Sequence, residues 1–313
     1  MTMAGDPLSS RLRVTLFGLE FANPVIAASG TFGYGVEMAP IVALNKLGGF
    51  VVKGLSREPI RGNPPPRLWE TRGGMINSVG LQNVGVRAFV QDKLPLLRGC
   101  GTRVIANVFG YEVEDYAEVI RVLEDAEGLD AYELNVSCPN TKHGGMFFSS
   151  DPRLLEEVTR AAAHVARRPV IVKLSPNVAR IDEIARAAEA GGAAAVSLVN
   201  TFLGLAIDAR ARRPRLGAGY GGVSGPAIKP LALRLVREAA LAVRIPVIGL
   251  GGILTGEDAA EFLIAGASAV EVGTAAMADP QAPVRIAAEL DGFLRAQGVE
   301  RVTELVGTLE WPS

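Results

Sequence analysis

The chain has 313 residues, 49% of them apolar and 21% charged, with a formal net charge of −1. These proportions suit a globular protein with a substantial core, and the near-zero charge gives no electrostatic case for a nucleic acid or a membrane surface as partner. Two cysteines (Cys100 and Cys138) and two histidines (His143 and His164) are too few for a disulfide framework, a Cys-ligated iron–sulfur cluster or a histidine metal centre, so no metal site is expected.

Met1 to Ser10 lack the basic-then-apolar pattern of a signal peptide, and no run approaches the ~18 apolar residues of a membrane span. The expectation is a cytoplasmic protein. Arg13–Phe21 then reads as a hairpin that could plug the bottom of a barrel. From there β-rich runs alternate with amphipathic stretches. The strands are expected at Val25–Ala28, Gly49–Val52, Val104–Ala106, Ala131–Val136, Val170–Val172, Ala194–Val199, Pro246–Gly249 and Ala269–Val272. The helices are expected at Val36–Lys46, Val86–Leu97, Glu112–Glu127, Pro152–Ala166, Ile181–Ala190, Ile228–Ala242, Gly256–Ala265 and Pro280–Gln297. Asp151 before Pro152, and Thr255, are N-cap candidates, while Gly191 and Gly266 stand where helices commonly stop.

Eight strands, each followed by a helix, predict an α/β fold: a (β/α)8 TIM barrel with an N-terminal hairpin, over residues 1–313 as one domain. A doubly wound open sheet is the alternative, because periodicity does not show closure. Two strand-to-helix connections, Leu55–Gly85 and Thr201–Ala227, far exceed the usual 2–6 residues and predict pocket or lid insertions. The arginines 210, 212, 213 and 215 in the second read as a solvated loop.

In a barrel the carboxyl ends of the strands surround one cavity. Here those ends carry Ser29, Lys53, Asn107, Asn135, Lys173, Asn200, Gly251 and Gly273. The glycine turns Gly249-Leu250-Gly251-Gly252 and Gly273-Thr274-Ala275 let backbone amides approach an anion, which suggests a phosphorylated ligand. Asparagines offer donor and acceptor together and lysines offer charge, so the ring suits a small, planar, anionic ligand. Cys138, in Asn135-Val136-Ser137-Cys138-Pro139-Asn140, falls on a loop just past a strand and is a candidate base or nucleophile; a buried structural cysteine is the alternative. Gly217–Gly222 formally matches GxGxxG, but it comes after an arginine-rich loop and not a strand. It reads as a flexible segment leading to Ser224-Gly225-Pro226.

Together these motifs resemble the class 1 dihydroorotate dehydrogenases. The likeness rests on Asn23-Pro24, Ala28-Ser29-Gly30, Lys53-Gly54, Gly62–Arg67, Asn77–Asn83, Asn135–Asn140, Val172-Lys173-Leu174, Asn200-Thr201, Gly221–Pro230, Gly251-Gly252 and Gly273-Thr274. The resemblance implies an FMN-containing barrel that oxidises dihydroorotate to orotate in pyrimidine synthesis, with one FMN per chain. It implies Cys138 as the base at ring carbon 5. The FMN contacts would be Ser29, Lys53, Gly54, Asn107, Asn135, Lys173, Val199, Gly225, Gly251, Gly252, Gly273 and Thr274. Lys173 would offset the negative charge of the reduced flavin. Substrate contacts would be Lys53, Asn77, Ser78, Val79, Gly80, Leu81, Asn135, Asn200 and Thr201, supported by Asn83 and Asn140, and Gly144-Gly145 would hinge a lid.

Asn200–Leu205, the Pro214 loop and Gly221–Pro230 look most like the NAD-linked class 1B. That subclass implies a homodimeric core and a second subunit carrying FAD and a [2Fe-2S] cluster, in a heterotetramer. The fumarate-reducing homodimer is the close alternative. A phosphosugar isomerase or lyase on the same barrel is the competing enzyme class. A tRNA-modifying flavin barrel would show a basic face, and a pure interaction platform leaves the polar ring without a purpose.

Overall fold

The computed structural model describes residues 10–137, 139–140 and 146–312, with the side chains of 139, 140, 146 and 147 outside that description. After a 3-10 turn at Ser10–Leu12, the chain forms the antiparallel hairpin β1 (Val14–Leu16) and β2 (Leu19–Phe21). Leu12, Val14, Leu16 and Phe21 are buried, and Phe17 meets Phe21 edge-to-face at 5.7 Å. The Arg103 guanidinium donates to the Glu20 carbonyl at 2.8 Å. Because Arg103 opens a barrel strand, the hairpin packs on the amino-terminal end of the barrel, as expected for a plug.

The chain then passes through β3 (Val25–Ala27), β4 (Gly49–Val51), the hairpin β5 (Leu68–Thr71) and β6 (Gly74–Asn77), β7 (Arg103–Val108), β8 (Ala131–Asn135), and the short pair β9 (Pro139–Asn140) and β10 (Met146–Phe147). It continues through β11 (Val170–Lys173), β12 (Ala195–Leu198), β13 (Phe202–Leu205), β14 (Ile207–Asp208), β15 (Arg213–Pro214), β16 (Tyr220–Ser224), β17 (Val247–Leu250) and β18 (Ala269–Val272). Strands β3, β4, β7, β8, β11, β12, β17 and β18 pair in parallel, in that order, and β18 closes on β3. This is a closed eight-stranded (β/α)8 barrel, and the open-sheet alternative falls. The runs Val-Ile-Ala, Gly-Phe-Val, Val-Ile-Val-Lys and Val-Ile-Gly-Leu are apolar almost throughout because barrel strands are covered on both faces.

The helices are α1 (Val86–Ala88), α2 (Val113–Glu124), α3 (Pro152–Val165), α4 (Ile181–Ala190), α5 (Lys229–Ala242), α6 (Gly256–Ala265), α7 (Thr274–Ala278) and α8 (Ala282–Ala296). Asp151 caps α3, accepting from the Arg153 and Leu154 amides at 2.8 and 3.4 Å. Thr255 caps α6 reciprocally with Asp258, as a capping box does. The face Leu154, Leu155, Val158 and Ala162 buries α3 against the core, at the spacing of an amphipathic helix.

Two of the expected helices need correction. The stretch Val36–Lys46 is not a helix: it is a series of turns ending in a 3-10 turn at Leu44–Lys46. Pro40 at its centre lacks the amide a helix needs and disfavours helical backbone at Ala39, while Gly33 and Gly35, just before it, take φ +58 and +86. The Val86–Leu97 helix is irregular, running from α1 through a π stretch at Phe89–Lys93 to a 3-10 turn at Leu94–Leu97 that holds Pro95.

The two long insertions do not lie apart. They combine into one antiparallel sheet in the order β13-β16-β6-β5, with Gly222 opposite Asn77 and Val223 opposite Ile76. This overturns the reading of Gly217–Gly222 as a loose leader, since its last residues form the strand β16. The glycines serve close approach: a Cβ at Gly222 would stand 2.0 Å from Thr201 Oγ1, and one at Gly221 would stand 2.6 Å from the Asn77 carbonyl. Arg210, Arg212 and Arg213 are exposed as expected. Arg215 pairs with Asp208 at 2.8 Å and lies 4.3 Å over the Trp69 ring. Among the described residues, no helix is long and apolar enough to cross a membrane.

Candidate active site

A cavity of about 730 Å3 lies between the carboxyl ends of the barrel strands and the antiparallel sheet, within the range usual for ligand sites. Its barrel side is lined by Ser29 after β3, Lys53 and Gly54 after β4, Asn107 on β7, Asn135 on β8 and Lys173 on β11. The circuit continues with Val199, Asn200 and Thr201 after β12, Gly251 and Gly252 after β17, and Gly273 and Thr274 after β18. From the insertions come Asn77, Ser78, Val79, Gly80, Leu81 and Gly225. Every site residue expected from the sequence thus faces one cavity, apart from Cys138, the Gly144-Gly145 pair, Asn140 and Asn83. Cys138 and Gly144-Gly145 lie outside the described residues, as does the side chain of Asn140. Asn83 is buried behind the wall, where its Oδ1 accepts from the Gly85 amide at 2.7 Å and its Nδ2 donates to the Leu81 carbonyl at 2.9 Å. It braces the 77–81 loop.

One wall is an amide network built on Asn135, Ser137 and Asn200. Asn200 Nδ2 donates to Ser137 Oγ at 3.0 Å and to Asn135 Oδ1 at 3.3 Å, and the Thr201 amide donates to Asn200 Oδ1 at 2.8 Å. The Ser137 amide donates to Asn135 Oδ1 at 3.3 Å, and Tyr116 Oη holds the Asn135 carbonyl at 2.9 Å. Residue 137, which precedes Cys138 in the chain, is therefore held by Asn135 at the end of β8 and by Asn200 just past β12. Across the cavity Asn77 Nδ2 donates to the Gly222 carbonyl at 3.3 Å, which locks the two insertions together.

The floor holds a cluster of buried charge. Lys173 Nζ lies 2.9 Å from Glu271 Oε2 and 3.3 Å from Glu133 Oε1. Glu133 also accepts from Asn107 Nδ2 at 2.7 Å and Ser197 Oγ at 2.8 Å. Glu133 and Glu271 are 0% and 1% exposed and Lys173 is 6%. Burial drives the lysine toward neutrality, but the two carboxylates outweigh it and hold it charged, above its ordinary range. Burial likewise pushes Glu133 up, yet the Lys173 charge and its hydrogen bonds keep it ionised, below the usual carboxylate value. Glu271 has no such set of donors. Burial and the Glu133 charge push it up to about 8. Attention to strand ends alone does not find Glu133, Ser197 or Glu271. The available signal is a glutamate in the middle of a short buried strand, in Ala-Tyr-Glu-Leu-Asn and Ala-Val-Glu-Val, where only a paired charge can persist.

The remaining features suit an anionic ligand. Lys53 is half-buried and makes no ion pair among the described residues; burial and the Arg67 charge lower its pKa. A ligand anion would relieve both effects. Opposite it the backbone turns at Gly225, Gly251 and Gly252 at φ +102, +128 and +83. A Cβ on Gly252 would meet the Lys229 amide nitrogen at 2.9 Å, so the turn requires glycine. Thr274 Oγ1 donates to Ser224 Oγ at 2.8 Å, tying the last strand's loop to β16.

The geometry agrees with what comparison with known proteins shows. A model of the family described as dihydroorotate dehydrogenase matches residues 11–294. The chain belongs to the dihydroorotate dehydrogenase family. A Solibacter usitatus protein provisionally named dihydroorotate dehydrogenase A (fumarate) is 68% identical over 304 residues, which cover 97% of this chain and all of the relative. Two relatives named dihydroorotate dehydrogenase B (NAD(+)), catalytic subunit, from Alkaliphilus metalliredigens and Geobacter metallireducens, are 52% and 51% identical over 95% and 96% of this chain and 98% of each relative. Family membership is consistent with the closed (β/α)8 barrel.

Proposed function

We propose that this chain is the FMN-binding catalytic unit, over residues 1–313, of a cytoplasmic dihydroorotate dehydrogenase that forms orotate in pyrimidine synthesis. The observation that carries the reading is the convergence of Asn77, Asn135 and Asn200 with Lys53 around one cavity, beside the loop that leads to Cys138. Orotate is a flat ring with alternating amide donors and acceptors and a carboxylate, and three asparagines and a cation match that pattern.

FMN fits the other half of the cavity. Ser29, Lys53, Gly54, Asn107, Asn135, Lys173, Val199, Gly225, Gly251, Gly252, Gly273 and Thr274 would hold it, with the glycine turns at its phosphate and Lys173 at its ring. When bound, FMN supplies the acceptor for the hydride from ring carbon 6. The protein's own residues do the rest. Asn77, Asn135, Asn200, Thr201 and the 77–81 backbone orient the ring, Lys53 holds its carboxylate, and the Cys138 thiolate takes the proton from carbon 5 as general base. The Asn135–Ser137–Asn200 hydrogen bonds support this by fixing the residue before the base. The roofing sheet limits water around the reacting ring.

For the electron acceptor, the resemblance of Asn200–Leu205 and Gly221–Pro230 to the NAD-linked subclass supports transfer to NAD through an FAD/[2Fe-2S] partner on a homodimeric core. The relatives named as B catalytic subunits support it as well. The 68% identical relative carries the fumarate name and favours the second reading, a self-sufficient fumarate-reducing enzyme. Steady-state orotate formation decides between them. NAD reduction that needs the copurified partner supports the first, and fumarate turnover by the chain alone establishes the second. Absence of orotate with either acceptor, and with an artificial dye, would sink the assignment.

A further inference from the structure

Beneath the cavity, two buried carboxylates share one cation, and they are not equivalent. Glu133 is met by Lys173, Asn107 and Ser197. Glu271 accepts a hydrogen bond only from Lys173 among the described residues, and its other oxygen, Oε1, is buried and receives none. The two carboxyls lie within hydrogen-bonding reach of each other. An ionised Glu271 would leave a buried acceptor unsatisfied beside a second negative charge, and both conditions are costly. A proton on Glu271 turns that acceptor into a donor, with Glu133 next to it.

We propose that Glu271 is a proton-holding positioning residue, carrying the one proton of the Glu133–Lys173–Glu271 cluster and setting the charge that the cavity floor presents to a bound flavin. The inference rests on the FMN reading above. With the proton in place the cluster is neutral: one ammonium, one carboxylate and one carboxylic acid. Without it the cluster carries a net negative charge under the ring, which opposes reduction. The charged groups acting on Glu271 are Lys173 from β11 and Glu133 from β8. The flanking strands contribute Ile248, Gly249 and Leu250 on β17 and Val25, Ile26 and Ala27 on β3, and Lys53 after β4 is the cavity's other cation.

The proton and electron balance makes this testable. Reduction of bound FMN to its anionic reduced form takes up two electrons and one proton. Where Glu271 is ionised in the oxidised protein, the new negative charge on the ring draws a second proton from solvent onto Glu271. Two electrons then accompany two protons, and the potential falls twice as steeply with pH. Burial already places that ionisation at about 8.

The experiment is spectroelectrochemistry of the holoprotein between pH 6 and pH 10, for wild type and Glu271→Gln. The expected result is a twofold steepening of potential against pH above about 8 in wild type and a single slope in E271Q, whose amide is neutral at every pH. A merely structural role would leave both proteins with the same slope, and that outcome overturns the proposal. Infrared spectra of protein labelled with 13C-carboxyl glutamate give a second readout, independent of flavin and of the variant's folding. A protonated-glutamate carbonyl band present near pH 7 and lost above about 8 is expected. Its absence at pH 7 overturns the proposal even if FMN binds normally. Failure to bind FMN would instead overturn the cofactor reading, and the infrared band would still decide the proton.

Discussion

Replacing Lys173 by methionine removes the only cation beneath the cavity among the described residues and leaves two carboxyls, both almost fully buried. Methionine matches the lysine stem in length and volume, so packing is largely kept. The loss is the charge that stands 2.9 Å from Glu271 and 3.3 Å from Glu133. Removing one partner of a buried ion pair costs about 3–5 kcal/mol, because the charge left behind is uncompensated. Glu271 already prefers its acid form, so Glu133 bears most of the cost. Glu133 in turn can escape by taking a proton, so the loss must depend on pH. Below the pH at which the stranded carboxyl protonates, the destabilisation should shrink by about 1.4 kcal/mol for each unit of pH. Urea unfolding followed by circular dichroism, without FMN so that ligand linkage is removed from the comparison, gives the midpoint at unchanged slope. The expected result is a loss of about 3–5 kcal/mol at pH 8 that diminishes toward pH 5. The double variant K173M/E133Q should recover part of it at pH 8. A loss under about 1 kcal/mol at pH 8, or one independent of pH, would refute the assignment of Glu133 as the ionised partner.

Two further outcomes rest on the same geometry, and a third on the proposed role of Cys138. Glu271 ionises near 4.5 in the unfolded chain but near 8 in the folded one, so unfolding releases its proton throughout that window. Its contribution to stability therefore falls as pH rises from 4.5 to 8, and E271Q should flatten the corresponding limb of a urea-midpoint curve. Gly222→Ala places a methyl 2.0 Å from Thr201 Oγ1. Overpacking of this kind costs about 1–3 kcal/mol, and orotate affinity by calorimetry should drop tenfold or more, whereas unchanged affinity would remove Thr201 from the substrate wall. For Cys138→Ala, stopped-flow reduction of the flavin should slow by about 10²–10⁴-fold, and the wild-type rate should climb with pH through the thiol range near ~8.5. A wild-type rate that is flat with pH would contradict the cysteine base.

Much of this architecture is legible in the sequence because the barrel strands are short apolar runs punctuated by glycine. Ala269–Val272 is met end for end, and the other seven strands lie within two residues of expectation. At Val36–Lys46 the apolar residues fall at helical spacing and mislead, because the missing amide of Pro40 decides the matter locally. The roofing sheet is hidden for a different reason. Its central pairing joins Gly74–Asn77 to Tyr220–Ser224, across more than a hundred residues of chain, and glycine-rich strands carry little alternation to read. The site shows the same division. Strand-end residues such as Lys53, Asn107 and Asn200 announce themselves by breaking an apolar run at its end. Glu133 and Glu271 break theirs in the middle, and their meaning depends on Lys173 reaching both from a third strand.

Oxidation of dihydroorotate by a flavin held in this cavity is tested most directly by the visible spectrum of the purified protein before and after dihydroorotate is added without oxygen. A yellow protein that bleaches, with one orotate formed per flavin reduced, is the predicted result. A yellow protein that keeps its colour would remove dihydroorotate as the substrate, and a colourless protein that stays unreactive after reconstitution with FMN would contradict the flavin assignment at its root.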